Sequence, residues 1–239
     1  MDGLIRGHRT IMDEHDPGRR VDLIVDEWGA WHKVEPGRPP RGLYHQNTVL
    51  DACVAALTLD IFNNRCAIVK MGNLAQLVNV LQALLLVDGD ACVKTPTYHV
   101  FDLHRPHRGA TALRLENGTD VVSDGGRREA DLRKFSLDAQ PVRLRRVMGS
   151  ASVAGNEVCV TLCHTHPEQP CEAELRVSGG QVGEMEHIEL TFRDPHDHNT
   201  AAQPTVVGLS DPRRLRPRDG VLRLVLRPGA VARLRGRFG

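Results

Sequence analysis

The texture of this 239-residue chain changes once, near Arg108, and that change constrains what it can fold into. Before it, short aliphatic runs alternate with stretches of helical spacing. Leu4 to Asp13 carries Leu4, Ile5, Ile11 and Met12 and reads as a weak helix stopped by Asp16-Pro17-Gly18. Val21 to Val25 predicts a buried strand. Lys33 to Gly42, with three prolines and two glycines, can only be loop. Leu50, Cys53, Val54, Leu57 and Ile61 recur at three- and four-residue spacing, the pattern of one apolar helix face. Asn47 or Thr48 can cap its start. Ala67 to Met71 predicts the next strand, and Leu81 to Val87 is an apolar stretch of open type. Thr95-Pro96 supplies a capping hydroxyl and a proline at the first helical position, opening a helix to about Arg105. Strand and helix alternating in this order is the rhythm of a parallel sheet or barrel.

After Arg108 no convincing helix appears. Alternating runs recur at Ala112–Leu115, Val142–Val147, Val158–Leu162, Ala173–Val177, His187–Phe192 and Val221–Leu226. Asn117-Gly118, Asp124-Gly125-Gly126, Ser178-Gly179-Gly180 and Asp219-Gly220 punctuate them, and Arg127 to Lys134 is simply polar. This is the pattern of an antiparallel β-sandwich. The expected domains are therefore 1–108, α/β, and 109–239, all-β.

Thirty-one Lys and Arg nearly balance 30 Asp and Glu, so no global field draws the chain to nucleic acid or to an anionic membrane. The longest apolar run, Val80 to Val87, is interrupted by Gln82 and is too short to span a bilayer. The first residues lack the apolar stretch of a secretory signal. Six dispersed cysteines then read as reduced thiols in a cytoplasmic protein.

Chemistry is concentrated in Val21-Asp22-Leu23-Ile24-Val25-Asp26-Glu27-Trp28-Gly29-Ala30-Trp31. In a parallel α/β barrel the reacting groups sit at the C-terminal ends of strands. A carboxylate between two indoles suits a sugar site, because flat apolar rings pack on sugar faces. The alternative is a surface acid capping the following turn.

Further segments follow in order: Tyr44-His45-Gln46-Asn47-Thr48 before Asp51 to Leu57, Met71-Gly72-Asn73-Leu74-Ala75-Gln76-Leu77-Val78-Asn79-Val80-Leu81-Gln82, Thr95-Pro96-Thr97-Tyr98-His99-Val100-Phe101, and His198-Asn199-Thr200. Together with Val25 to His32, they resemble the C-terminal portion of family 51 glycoside hydrolases, the α-L-arabinofuranosidases. The resemblance implies the last two strands and helices of a (β/α)8 barrel followed by a jelly-roll-like antiparallel sandwich. It implies that Glu27 is the nucleophile, that Gln76 bonds a sugar hydroxyl, and that Trp31 lines the pocket. Taken without it, Gln76 reads as a loop amide and Trp31 as a packing residue. The implied partners are arabinofuranosyl saccharides, with no cofactor and no metal, and the intact enzyme is expected to form homo-oligomers.

A retaining glycosidase needs a second carboxyl group roughly 5 Å from the nucleophile. In the resembled family it lies between an asparagine and a proline, and no Asn-Glu-Pro occurs here. Asn156-Glu157-Val158 is the nearest string, but it falls in the β region. Asp26 is expected on the opposite strand face, Asp22 near the other strand end, and Glu35 in an unanchored loop. The chain is therefore expected to be a fragment, inactive alone. The alternative is a non-catalytic carbohydrate-binding or assembly module.

Three other groupings have structural readings. Cys159, Cys163, His164, His166 and Cys171 carry zinc-type ligands at no standard spacing; packing explains the cysteines and a turn explains the histidines. Asp194, His196, Asp197 and His198 crowd one loop. The arginines from Arg213 to Arg237 alternate with leucines in places, as on the solvated face of a sandwich strand.

Overall fold

A computed structural model describes residues 1–34, 36–39, 41–119, 121–123 and 143–239. Glu35, the Asp124-Gly125-Gly126 turn, Arg127 to Lys134 and Val142 lie outside the described residues. The elements are α1 (Asp2–His15), β1 (Leu23–Trp28), α2 (Val49–Asn64), β2 (Val69–Leu74), β3 (Leu85–Asp88), β4 (Ala91–Lys94), α3 (Pro96–His104), a 3-10 turn (Arg105–His107), and β5 (Thr111–Leu113). The remainder are β6 (Val121–Ser123), β7 (Arg143–Arg145), β8 (Val147–Ala154), β9 (Glu157–His164), β10 (Cys171–Arg176), β11 (Val182–Thr191), β12 (Gly208–Leu209), β13 (Arg213–Leu215), β14 (Val221–Leu226) and β15 (Val231–Phe238).

The molecule is mostly β-sandwich with few helices. One seven-stranded antiparallel sheet runs β12-β11-β15-β9-β8-β5, with β13 also on β11. Its strands bury side chains on both faces, and β9 is buried along almost its whole length because each face has a cover. Val158, Val160 and Leu162 join Leu222, Leu224 and Leu226 of β14 and Cys171 of β10, which form a separate two-stranded ladder. Cys163, Leu190 and Val231 instead meet Val49, Ala52, Ala55 and Ala56 of α2 and Val100 and Leu103 of α3. The two textures of the sequence thus share one apolar core across residue 108.

A tight turn leads into β14: Asp219 and Gly220 both have positive φ (51° and 72°), and Arg218 and Val221 exchange backbone hydrogen bonds around them. The strands on either side separate, β13 pairing with β11 and β14 with β10.

Upstream, β1 and β2 pair in parallel with α2 crossing between them. Thr48 caps α2 through a capping box: Asp51 Oδ2 accepts from Thr48 N (2.8 Å) and Oγ1 (3.0 Å). The loop after β11 completes the cap, since Val49 N and Leu50 N donate to the carbonyls of Asp197 and Pro195. Within that loop Asp197 Oδ2 accepts from Arg193 N and Asp194 N, which holds its carboxyl below the usual range. The Asp194–His198 grouping is therefore a turn docked on a helix start. Asn199 pins it further, donating to the Lys94 and Val207 carbonyls.

Three expectations need correction. Val21 to Val25 is not a buried strand: Val21 and Ile24 are exposed, and the strand itself runs Leu23–Trp28. The buried face of α2 is an alanine face with Asp51, Thr58 and Asp60, whereas Leu50 and Val54 are exposed. The arginines are not uniformly solvated. Arg223 reaches Glu174, as expected at a surface, but Arg233 is buried against Glu186 and Arg227 lies over the Phe192 ring at 4.1 Å.

Candidate active site

Glu27 is the penultimate residue of β1 and is exposed. Its neighbour Trp28 is 5% exposed and turns the other way, stacking on Phe101 (ring centroids 6.0 Å) and meeting Phe62 edge-on (5.5 Å). Glu27 is exposed where the β1–β2 register is irregular, between Val25 and Trp28, which both pack toward those helices. The expected pair of indoles flanking the acid is therefore half right in position only. Trp28 is a core residue, and Trp31, 67% exposed, is the indole open to a ligand.

The chain turns at Gly29, whose φ of +150° is a conformation that side-chain-bearing residues rarely adopt. Ala75 N donates to Trp28 O (2.8 Å), which carries the β1–β2 pairing to the ends of both strands. Gln76 follows immediately and is exposed. The structure thus brings the end of β1, with Glu27, beside the end of β2, with Gln76.

Gln82 fixes this rim. It is fully buried, accepts from Ala30 N (2.7 Å) at Oε1, and donates through Nε2 to Asp51 O and Thr97 Oγ1. Thr97 donates to Asn47, and Asn47 donates to the Ala83 carbonyl, so one buried amide network joins the β1 end, α2 and α3. In the sequence this residue is an amide interrupting an apolar run, and its burial is set by contacts distant along the chain.

Beside the rim, His32 Nε2 lies 2.7 Å from Asp51 Oδ1, and the His45 ring stands edge-on to His32 with centroids 5.0 Å apart. The spacing of the three residues along the chain gives no hint of this meeting.

A hollow of about 440 Å³ is walled by Tyr98, Phe101, His104, Arg105, His107 and others, none of them Glu27, Gln76 or Trp31. Glu157 opens β9 after the Gly155-Asn156 turn and is ion-paired with Arg235 on β15. Asp22 precedes β1 and is exposed, and Asp26 is exposed beside Glu27.

The cysteine and histidine grouping is dispersed. Cys159 and Cys163 are buried on the helix-facing side of β9, while Cys171 belongs to the opposite core. Burial pushes the Cys159 thiol up to about 12. His164 Nδ1 donates to the Arg227 carbonyl (2.7 Å), and His166 Nδ1 accepts from Glu168 N and Gln169 N. All six cysteines are free thiols.

Comparison with known proteins agrees with this architecture. Residues 26–228 match the family model of the alpha-L-arabinofuranosidase C-terminal domain. An intracellular exo-alpha-L-arabinofuranosidase of Bacteroides ovatus is 28% identical over 98% of this chain and 43% of its own length. An intracellular exo-alpha-(1->5)-L-arabinofuranosidase of Streptomyces lividans is 25% identical, over 88% of this chain and 31% of its own. The crystal structure of the family 51 arabinofuranosidase of Xanthomonas axonopodis pv. citri superposes with a TM-score of 0.86 at 36% identity, covering 99% of this chain and 45% of that one. The Thermotoga maritima enzyme shares the fold (TM-score 0.77, 19% identity, 98% and 47% covered). The chain spans less than half the length of these relatives. With its model match running from the β1 carboxylates through β14, the chain belongs to the alpha-L-arabinofuranosidase C-terminal domain family.

Proposed function

We propose that this chain is the C-terminal portion of a retaining α-L-arabinofuranosidase, with Glu27 as the nucleophile that attacks the anomeric carbon. The observation that carries the reading is the meeting of two strand ends: an exposed carboxylate near the end of β1 and an exposed amide two residues past the end of β2, held by the parallel pairing and by Gln82. The β1-α2-β2 unit is then the last part of a (β/α)8 barrel, whose strand ends are where such enzymes do their chemistry. Gln76, able to donate and accept, bonds a hydroxyl of a terminal arabinofuranose, and Trp31 offers its face to the ring.

The reaction needs a second carboxyl group to protonate the leaving oxygen and then to activate water. Glu157 is committed to Arg235 within the sandwich and does not serve. The acid/base and most of the pocket walls come from polypeptide outside these residues, so the isolated chain does not turn over substrate. The substrates are saccharides with non-reducing α-L-arabinofuranosyl ends, and the complete enzyme works inside the cell as a homo-oligomer. The names of the two curated relatives, both intracellular, support the setting.

The experiment is complementation. The chain alone, given 4-nitrophenyl α-L-arabinofuranoside, releases no nitrophenol. Fused to the N-terminal portion of the Xanthomonas relative, it does so, and Glu27→Gln abolishes the release. Turnover by the chain alone that disappears in Glu27→Gln contradicts the missing acid. Turnover by the fusion that survives Glu27→Gln contradicts the nucleophile.

A further inference from the structure

We infer that His32, His45 and Asp51 form a binding site for a single divalent transition-metal ion, of which Zn2+ is the probe to use. The site is independent of the glycosidase reading. One ligand atom from each residue lies within 4.8 Å of the others. Two imidazoles and one carboxylate are a donor set that zinc accepts in tetrahedral geometry, with a fourth position left for water.

The three side chains come from three different segments. His32 follows the Gly29 turn, His45 precedes the cap of α2, and Asp51 lies in the first turn of that helix. Asp51 is 1% and His45 4% exposed, so two ligands are held in place by packing. The Asp51 carboxylate is further oriented, because Thr48 donates to Oδ2 from both its backbone N and its hydroxyl, leaving Oδ1 aimed at His32. Metal-ligating carboxylates are typically fixed by such outer contacts. The His32 side chain is about half exposed, so an ion can enter from solvent.

The simpler reading is a hydrogen bond between His32 Nε2 and Asp51 Oδ1 at 2.7 Å. The buried His45 imidazole at the same spot is what favours an ion. A cation near a helix N-terminus meets the unfavourable end of the helix dipole. The full negative charge of Asp51 in the same turn is closer and opposes that repulsion. Coordination moves no electrons: each imidazole binds the ion through one nitrogen lone pair and keeps its proton on the other ring nitrogen. Its mechanical effect is to tie the segment bearing Trp31 to the start of α2.

The test is a Zn2+ titration of the chelator-dialysed full chain, read by competition with a chromophoric chelator and by tryptophan fluorescence. Trp31, next to His32 and exposed, is the reporter. The expected result is one equivalent bound with a micromolar or tighter Kd and a fluorescence change that saturates with it. His32→Ala, at an exposed loop position, and His45→Gln each weaken binding by at least about tenfold with unchanged circular dichroism; Thr48→Ala weakens it by about tenfold through the carboxylate's orientation. Lack of saturable binding below about 100 μM, set against structural zinc affinities that are far tighter, overturns the proposal. So does binding that His32→Ala leaves intact, which locates the ion elsewhere, as at the exposed thiols of Cys66 or Cys92.

Discussion

Glu27 and Trp28 are adjacent in sequence and opposite in environment. The indole belongs to the core between β1, α2 and α3; the carboxylate faces out. Trp28→Ala should therefore lower the free energy of unfolding by about 3–5 kcal/mol, the usual cost of removing a large buried aromatic. Trp31→Ala should change it by less than about 0.5 kcal/mol, while raising KM in the complemented enzyme. Urea unfolding separates the two; an equal loss from both would show that Trp31 is a packing residue after all.

His107 makes a pH prediction at the same scale. Burial, with repulsion from His104, holds it down to about 4, against an ordinary 6.5. The unfolded chain thus takes up a proton near pH 6.5 that the folded chain refuses until about pH 4. The stability this contributes is fully present above 6.5 and is lost as pH falls towards 4. By the size of that gap the loss is on the order of 3 kcal/mol. Burial lowers His99, His164 and His187 in the same direction. Melting curves from pH 7.5 to 4.5 should show Tm falling, with a shallower fall in His107→Gln; parallel profiles would rule out this source.

Between elements, the contact of α2 with the sheet is polar at its centre. Asp60 Oδ1 accepts from Ser150 (2.6 Å) on β8, Thr161 (2.7 Å) on β9 and His104 Nε2 (3.1 Å) on α3. His104 Nδ1 meets the Val100 carbonyl at 2.9 Å. His107 extends the network to Ser152 and Thr161. Removing one member of a buried charged pair typically costs 3–5 kcal/mol. Asp60→Ala should destabilise by about that much, and a double-mutant cycle with His104→Ala should show strong coupling. Additive single effects would mean that the two do not act as a pair.

Elements differ in how much of them the sequence discloses. Helix α3 announces itself because Thr95 and Pro96 act locally, and Thr95 Oγ1 does accept from Tyr98 N. Strand β14 spans Val221–Leu226, as its alternation predicts. Strands β8 and β15 were missed. The first is rich in Gly, Ala and Ser, and the second carries Arg233, Arg235 and Arg237, of which Arg233 and Arg235 are answered across the sheet by Glu186 and Glu157. The buried face of α2 is hidden for a related reason: periodicity of large apolar residues does not register alanines. Glu27, Gln76 and Trp31 stood out as residue types in a motif. Gln82 and the His32–His45–Asp51 meeting depend on contacts that only the fold creates.

For the whole molecule, helices and sandwich share one core, yet much of the α/β part faces solvent with apolar groups. Val21, Ile24, Leu50, Val54, Met71 and Leu77 are all exposed. Exposed apolar surface of this kind marks an interaction face, as expected if relatives more than twice as long cover it with their remaining chain. The claim on which the account turns is that Glu27 forms the covalent bond to sugar. It is tested by trapping: the fusion protein is treated with a 2-fluoro-substituted arabinofuranosyl donor carrying an activated leaving group, and the labelled peptide is sequenced by mass spectrometry. The account predicts one arabinosyl adduct, on Glu27, absent from Glu27→Gln. An adduct on any other carboxylate, or steady turnover of the ordinary substrate with Glu27 never labelled, would contradict it.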